Sequence, residues 1–386
     1  MYSFSVLASL GLLASSALAG PISLPKRTTS TGQNVVYWGQ NGGGIVENTD
    51  LTTYCSSTSG IDIIVLAFLY EFGNGVTVPG GGIGQTCSIL ATSGTSQSCD
   101  AVASAITTCQ KNGVKVFLSL GGGTGGYSLT SQAEAESIGQ YLWEAYGNPS
   151  TSTVTRPFGN AIVNGWDFDI ENPSGSQYYP YLISKLRSNF ASDSANKYYI
   201  SGAPQCPIPE PNMGTMIQNS EFDMLFVQFY NNNNYTYPCA LGINGDAAFN
   251  FPQWQSFIST SNSSSAEIFI GVPAAPLAAN GADAGSVYYA TPNQLNTIVK
   301  ATEGNSSFGG VMLWAAGYSD SNVNNGCTYA QEVETILYDG QVCSGSYDVT
   351  PSLTPVAPTP SFSGSTGTST STSTATGTPV PEWGQV

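Results

Sequence analysis

Eight short apolar segments rich in β-branched and aromatic residues recur along this chain, most of them separated by a stretch that suits a helix. The apolar segments are residues 35–38, 61–68, 114–120, 162–171, 198–203, 224–230, 268–272 and 311–314. Helix-compatible stretches include 98–111, 133–146, 177–188 and 292–301. Strand and helix in alternation imply parallel strands joined by crossover helices. Eight such units over about 300 residues predict an α/β chain closed into a (β/α)8 barrel as one domain, with an open doubly wound sheet as the alternative. In a barrel the reactive side chains sit at the C-terminal ends of the strands.

One strand end is chemically unusual. Residues 161–171 read Ala-Ile-Val-Asn-Gly-Trp-Asp-Phe-Asp-Ile-Glu, so Asp167, Asp169 and Glu171 alternate with Trp166, Phe168 and Ile170. Residues two apart in a strand share a face, which places three carboxylates on one side and apolar groups on the other. Such a row repels itself, and at least one member should hold a proton near neutral pH. Stacked acids suit acid/base work on a glycosidic bond. The bland alternative is an edge strand with a solvated acidic face. Only 9% of the chain is charged, and the flanking apolar run suits a strand covered on both sides.

Composition removes several other chemistries. Histidine is absent from the sequence, which excludes Ser-His-Asp and Cys-His nucleophiles and His-ligated zinc. Neither a metal nor a cofactor is expected. A net charge of −16 argues against nucleic acid or an anionic membrane as a partner. Gly121 to Gly126 form a glycine-rich turn after a strand, with no Lys beside it to suit a phosphate loop. Close approach of backbone to a bulky neutral ligand fits that run, and a merely flexible loop is the other reading. Tyr37, Trp38, Tyr230 and Trp314 lie near strand ends. Each alone packs into a core as readily as it meets a ligand, but four at one rim suit a sugar-stacking groove.

The ends of the chain read differently from its middle. Residues 1–19 resemble an export signal, ending in a small-x-small site at Ala17-Leu18-Ala19. Residues 20–33 form a linker whose Lys26-Arg27 pair is either a second processing site or simply part of the linker. The ordered domain is expected over 34–345. Residues 346–386 are a Ser/Thr/Pro-rich tail with almost no charge, expected to be disordered and O-glycosylated. Eight cysteines in an exported chain favour disulfides over metal ligation. Cys87 with Cys99, and Cys327 with Cys343, are close enough in sequence to pair. Spacing does not pair Cys55, Cys109, Cys206 and Cys239. Sequons at Asn234, Asn262 and Asn305 fit a glycosylated, extracellular or wall-associated chain. It is expected to act as a monomer.

The acidic strand resembles the DxxDxDxE signature of family-18 glycoside hydrolases, the chitinase family. Ser119-Leu120-Gly121-Gly122 is similar to that family's SxGG strand. Tyr37-Trp38-Gly39-Gln40-Asn41, Gln228-Phe229-Tyr230-Asn231 and Gly309-Gly310-Val311-Met312-Leu313-Trp314 resemble its plant and fungal class III branch. The likeness runs from about Asn34 to Tyr338, with Asn164 in the first acidic position of the signature. The resemblance implies an endo-acting chitinase that takes chitin or its oligosaccharides. Glu171 would be the general acid, and Asp169 would orient the substrate acetamido group. Tyr230 would hold that group's carbonyl, and Asp167 would share a proton with Asp169. Trp314 would floor the cleavage site, while Tyr37, Gly123, Gln228, Ala274 and Ala275 would line the groove. Also implied are disulfides Cys55–Cys109 and Cys206–Cys239 beside the two above, and cis peptides at Ala67-Phe68 and Trp314-Ala315. Two other functions share the scaffold: an endo-β-N-acetylglucosaminidase and a non-catalytic chitin-binding lectin. Pro381-Glu382-Trp383-Gly384-Gln385 resembles the start of a small fungal cellulose- or chitin-binding module.

Overall fold

The computed structural model describes residues 31–40, 47–123, 126–233, 236–279 and 283–344. The export signal, the Lys26-Arg27 pair, the Asn234 sequon and the tail lie outside them. Eight parallel strands close on themselves: β1 (Gln33–Trp38), β2 (Ile63–Gly73), β6 (Lys115–Gly121), β7 (Gly165–Asp169), β8 (Tyr199–Gly202), β9 (Met224–Gln228), β10 (Glu267–Pro273) and β11 (Phe308–Trp314). Closure is made by β1, which pairs with β2 on one side and β11 on the other. The barrel reading therefore holds, and the open sheet does not.

The strands are apolar because a barrel strand is covered on both faces. In β7, Trp166 and Phe168 point outward. Trp166 stacks on Phe190 at 5.3 Å and tilts against Trp143 at 6.1 Å, while Phe168 meets Tyr179 edge-on. These partners belong to or adjoin α2 (Gln132–Tyr146) and α3 (Tyr179–Phe190). The remaining helices are α1 (Asp100–Lys111), α4 (Gly214–Asn219), α5 (Phe251–Ile258), α6 (Pro292–Thr302), α7 (Ala316–Ser321) and α8 (Tyr329–Asp339). Capping boxes at Thr291 and Thr328 start α6 and α8, satisfying backbone N–H groups that a first turn leaves open.

Two departures from a plain barrel were not foreseen. Among the described residues, the connection from β1 to β2 carries a short 3-10 turn, Leu51–Cys55, and no α-helix. After β2 the chain turns back into an antiparallel extension of β3 (Val76–Ile83), β4 (Cys87–Ile89) and β5 (Ser96–Gln97). All four disulfides form as the resemblance implies: Cys55–Cys109, Cys87–Cys99, Cys206–Cys239 and Cys327–Cys343. The Ala67-Phe68 and Trp314-Ala315 peptides are cis, as is Ile208-Pro209. No helix among the described residues is long and apolar enough to cross a membrane.

Candidate active site

Strand register places the three acids at graded depths. Asp167 stands opposite Ser119 of β6 and Ser201 of β8, deep in the barrel. Its carboxyl accepts hydrogen bonds from Ser119 Oγ at 2.6 Å, Ser201 Oγ at 2.7 Å and Tyr37 Oη at 2.7 Å. Burial pushes the Asp167 carboxyl above the usual carboxylate range, and these donors oppose the rise.

Asp169 ends β7 one layer higher. It faces Gly121, and a Cβ on that glycine would lie 2.0 Å from the Asp169 carbonyl oxygen. Gly121 has φ of 114°, and the next amide, Gly122 N–H, donates to the same oxygen at 2.7 Å. The two glycines therefore let β6 approach the acidic strand at its tip. The Asp169 side chain accepts from Gln228 Nε2 at 3.1 Å. Burial, then the negative charges of Glu171 and Asp167, drive its carboxyl well above the ordinary range. Glu171 lies two residues beyond the strand, so the expected strand 162–171 is shorter at both ends. Its backbone N–H donates to Tyr127 Oη at 2.9 Å, which fixes the exit of the chain. Burial raises the Glu171 carboxyl, and the Gln228 amide opposes the shift.

Asp169 and Glu171 open into a cavity shared with Tyr37, Gln228, Tyr230 and Trp314. Tyr230 is buried, and its hydroxyl is pushed up by burial and by both acids. Trp314 packs 5.8 Å from Tyr37 and stacks on Phe68 at 6.0 Å. The cavity thus joins an aromatic wall to a protonatable pair and a phenol. A raised, buried acid donates a proton at neutral pH, and its neighbour stabilises positive charge that develops nearby.

Other expected residues fall in different places. Ala274 and Ala275 are buried, and Ala274 N–H donates to Trp314 O at 2.8 Å. The wall on that side is supplied by Ala278 instead. Gly123 stands exposed in the turn after β6. Asn164 is remote from the cavity: its Oδ1 accepts from Val116 N and Gln110 Nε2, both at 2.9 Å, tying the start of β7 to β6 and α1. Asn262 is exposed, whereas Asn305 is half-buried with Nδ2 bonded to Gln255 Oε1 at 2.8 Å. Reading the sequence missed Ala203, Asn231 and Met312 in the cavity lining. Asn231 and Met312 lie inside motifs already quoted, so strand-end position was the signal available for both.

Comparison with known proteins agrees with this geometry. The family model described as glycosyl hydrolases family 18 matches residues 33–291. Endochitinase 2 of Metarhizium robertsii is 59% identical over 378 residues, covering 97% of this chain and 90% of that protein. Among solved structures, the ICChI chitinase of Ipomoea carnea is 34% identical with a TM-score of 0.59, over 78% of this chain and 99% of that one. The xylanase and alpha-amylase inhibitor protein XAIP-II of Scadoxus multiflorus is 30% identical with a TM-score of 0.60, over 78% of this chain and 97% of that one. By its sequence, its closed barrel and these relatives alike, the chain belongs to glycosyl hydrolase family 18.

Proposed function

We propose that the protein is a secreted endochitinase that hydrolyses β-1,4-linked N-acetylglucosamine polymers with retention of configuration. One observation carries the reading: Asp169, Glu171 and Tyr230 converge on a single cavity, with Asp167 hydrogen-bonded beneath them. Glu171, protonated because burial disfavours its charge, gives its proton to the glycosidic oxygen. No enzyme carboxylate attacks the sugar. The substrate's own acetamido oxygen closes on the anomeric carbon, forming an oxazolinium ion as the leaving chain departs. Asp169 orients the acetamido N–H and stabilises the positive charge that grows on it, while Tyr230 Oη donates to the acetamido oxygen. Asp167 lies deep enough to share the proton of Asp169 through the cycle. Water then opens the ring with Glu171 acting as base, which restores the starting protonation. Trp314, Tyr37 and Gln228 line the sugar's seat. The chain carries out this chemistry as a monomer outside the cell.

The inhibitor relative from Scadoxus multiflorus keeps a second reading in view, a barrel that binds without cleaving. A Glu171→Gln variant separates the two. Removing the acid lowers kcat on N-acetylglucosamine oligomers by roughly 100-fold or more, with oligomer binding retained. Hydrolysis by the variant at near the parental rate would refute the role given to Glu171. Absence of hydrolysis in the parent would favour the binding reading. Internal cuts with β-anomeric products from defined oligomers distinguish endochitinase action from exo-cleavage, and release of N-glycans would point to the glucosaminidase.

A further inference from the structure

Three amides lie side by side behind the acid pair, and only one of them, Gln228, faces the cavity. The two ends of an amide side chain are nearly identical in shape, so its polarity must be set by its neighbours. Here a fixed backbone acceptor sets it. Asn232 Nδ2 donates to the carbonyl oxygen of Tyr230, 2.6 Å away, which commits the nitrogen to that side. Its second N–H donates to Gln205 Oε1 at 2.8 Å. Gln205 must then turn its nitrogen the other way, where Nε2 reaches Gln228 Oε1 at 3.4 Å. Gln228 is left with its nitrogen towards Asp169 Oδ1 at 3.1 Å and the carbonyl of Ala203 at 2.9 Å. Water does not scramble this order, because Gln205, Gln228 and Asn232 are all buried.

The backbone holds the relay in place. Gln228 N–H donates to Pro204 O at 2.9 Å, so Gln205 and Gln228 are paired across a parallel bridge between two backbone segments. Gln205 N–H donates to Glu210 Oε1 at 3.1 Å, and Cys206 beside it is tied to Cys239. Resting on the function proposed above, we propose that Gln205 is a positioning residue for the reaction: held by Asn232, its N–H meets Gln228 Oε1 and, together with the Ala203 carbonyl on the other side, keeps the Gln228 N–H seated on Asp169. With the opposite polarity, Gln228 would set its single carbonyl oxygen against both the Asp169 carboxylate and Ala203 O. An N–H donor favours the charged form of the acid it meets, so the relay tunes how Asp169 and Glu171 divide their proton.

Two variants of near-native volume test this. Gln205→Met removes the donor, and Gln205→Leu does so with a stiffer side chain; neither adds a charge beside the acids. Both are followed by carboxyl 13C chemical shifts of Asp169 and Glu171 across pH, with kcat and KM measured on a defined oligomer. Tm and near-UV circular dichroism report folding separately. The expected result is a rise of about half a unit or more in the carboxyl titration midpoints. It comes with a roughly tenfold loss in kcat and KM within about twofold of the parent in both variants. Folded variants whose midpoints and kcat match the parent would overturn the inference. If Gln205→Met unfolds, Gln205→Leu alone decides by the same midpoints. The carboxyl titration needs no turnover. A parent that fails to hydrolyse therefore counts against the proposed function, whereas unmoved midpoints count against Gln205.

Discussion

At the scale of single residues, three like carboxylates are made unlike by what surrounds them. Asp167 accepts from three hydroxyls, so its charge is solvated by the protein itself. Asp169 has one amide donor and two acids beside it, so it is the member most driven to hold a proton at rest. Its proposed work comes later, when positive charge grows on the substrate amide, and that gain belongs to the transition state. Asp169→Asn should therefore lower kcat by about 100-fold or more while oligomer affinity, read by calorimetry, changes by less than roughly threefold. A loss of affinity in step with kcat would show that Asp169 acts in the ground state. The period-two spacing made the acid row legible in the sequence, because alternation is a local property. Ser201 and Gln205 carried no such signal. Each reaches the site through pairing with a distant strand, and nothing near it in sequence reports that partner.

At the scale of elements, the β6–β7 pair decides how close the acids come to the cavity. The register sets Gly121 opposite Asp169, and the positive φ of Gly121 is a region side chains rarely adopt. Gly121→Ala adds a Cβ 2.0 Å from the Asp169 carbonyl oxygen, where the tips of two barrel strands meet. Denaturant unfolding should record a loss of about 2–4 kcal/mol, and activity should fall with it. Gly304 is the control: nothing lies within 4 Å of a Cβ there, so Gly304→Ala should stay within about 0.5 kcal/mol. Equal behaviour of the two variants would remove the case for a tight β6–β7 approach. Strands β1, β6, β10 and β11 were readable because burial on both faces leaves a continuous apolar run. The β3–β5 extension was not, since Gly80-Gly81-Gly82 and short polar strands lack that run. Its glycines answer instead to long-range packing: a Cβ on Gly81 would meet the Phe68 carbonyl oxygen at 2.2 Å. The 3-10 turn Leu51–Cys55 was illegible for a similar reason, since it is tied by a disulfide to α1, far along the sequence.

At the scale of the whole molecule, buried acids and surplus charge together set the pH at which the fold is firmest. Burial raises Glu210 to about 7, against the backbone N–H groups it caps near α4. Asp320, bonded to Tyr54 Oη, is raised by burial to about 6. An acid raised by folding keeps a proton that the unfolded chain releases. Its contribution is therefore complete below the unfolded value, near 4, and is lost as pH climbs through 6 and 7. Asp193 runs the other way: donors from Tyr198, Asn148 and Asn196 hold it down to about 2, so its contribution is lost as pH falls from about 4. Tm should accordingly peak at about pH 4–5 and decline towards pH 8. The net charge of −16 adds self-repulsion on the same alkaline side, and salt separates the two causes. Repulsion among exposed charges is screened at about 0.5 M salt, whereas release of protons from buried acids is not. Part of the decline should survive in salt, and Asp320→Asn, which still accepts from Tyr54, should reduce that part. A Tm higher at pH 8 than at pH 5, or a decline abolished by salt alone, would show that the buried acids do not govern stability.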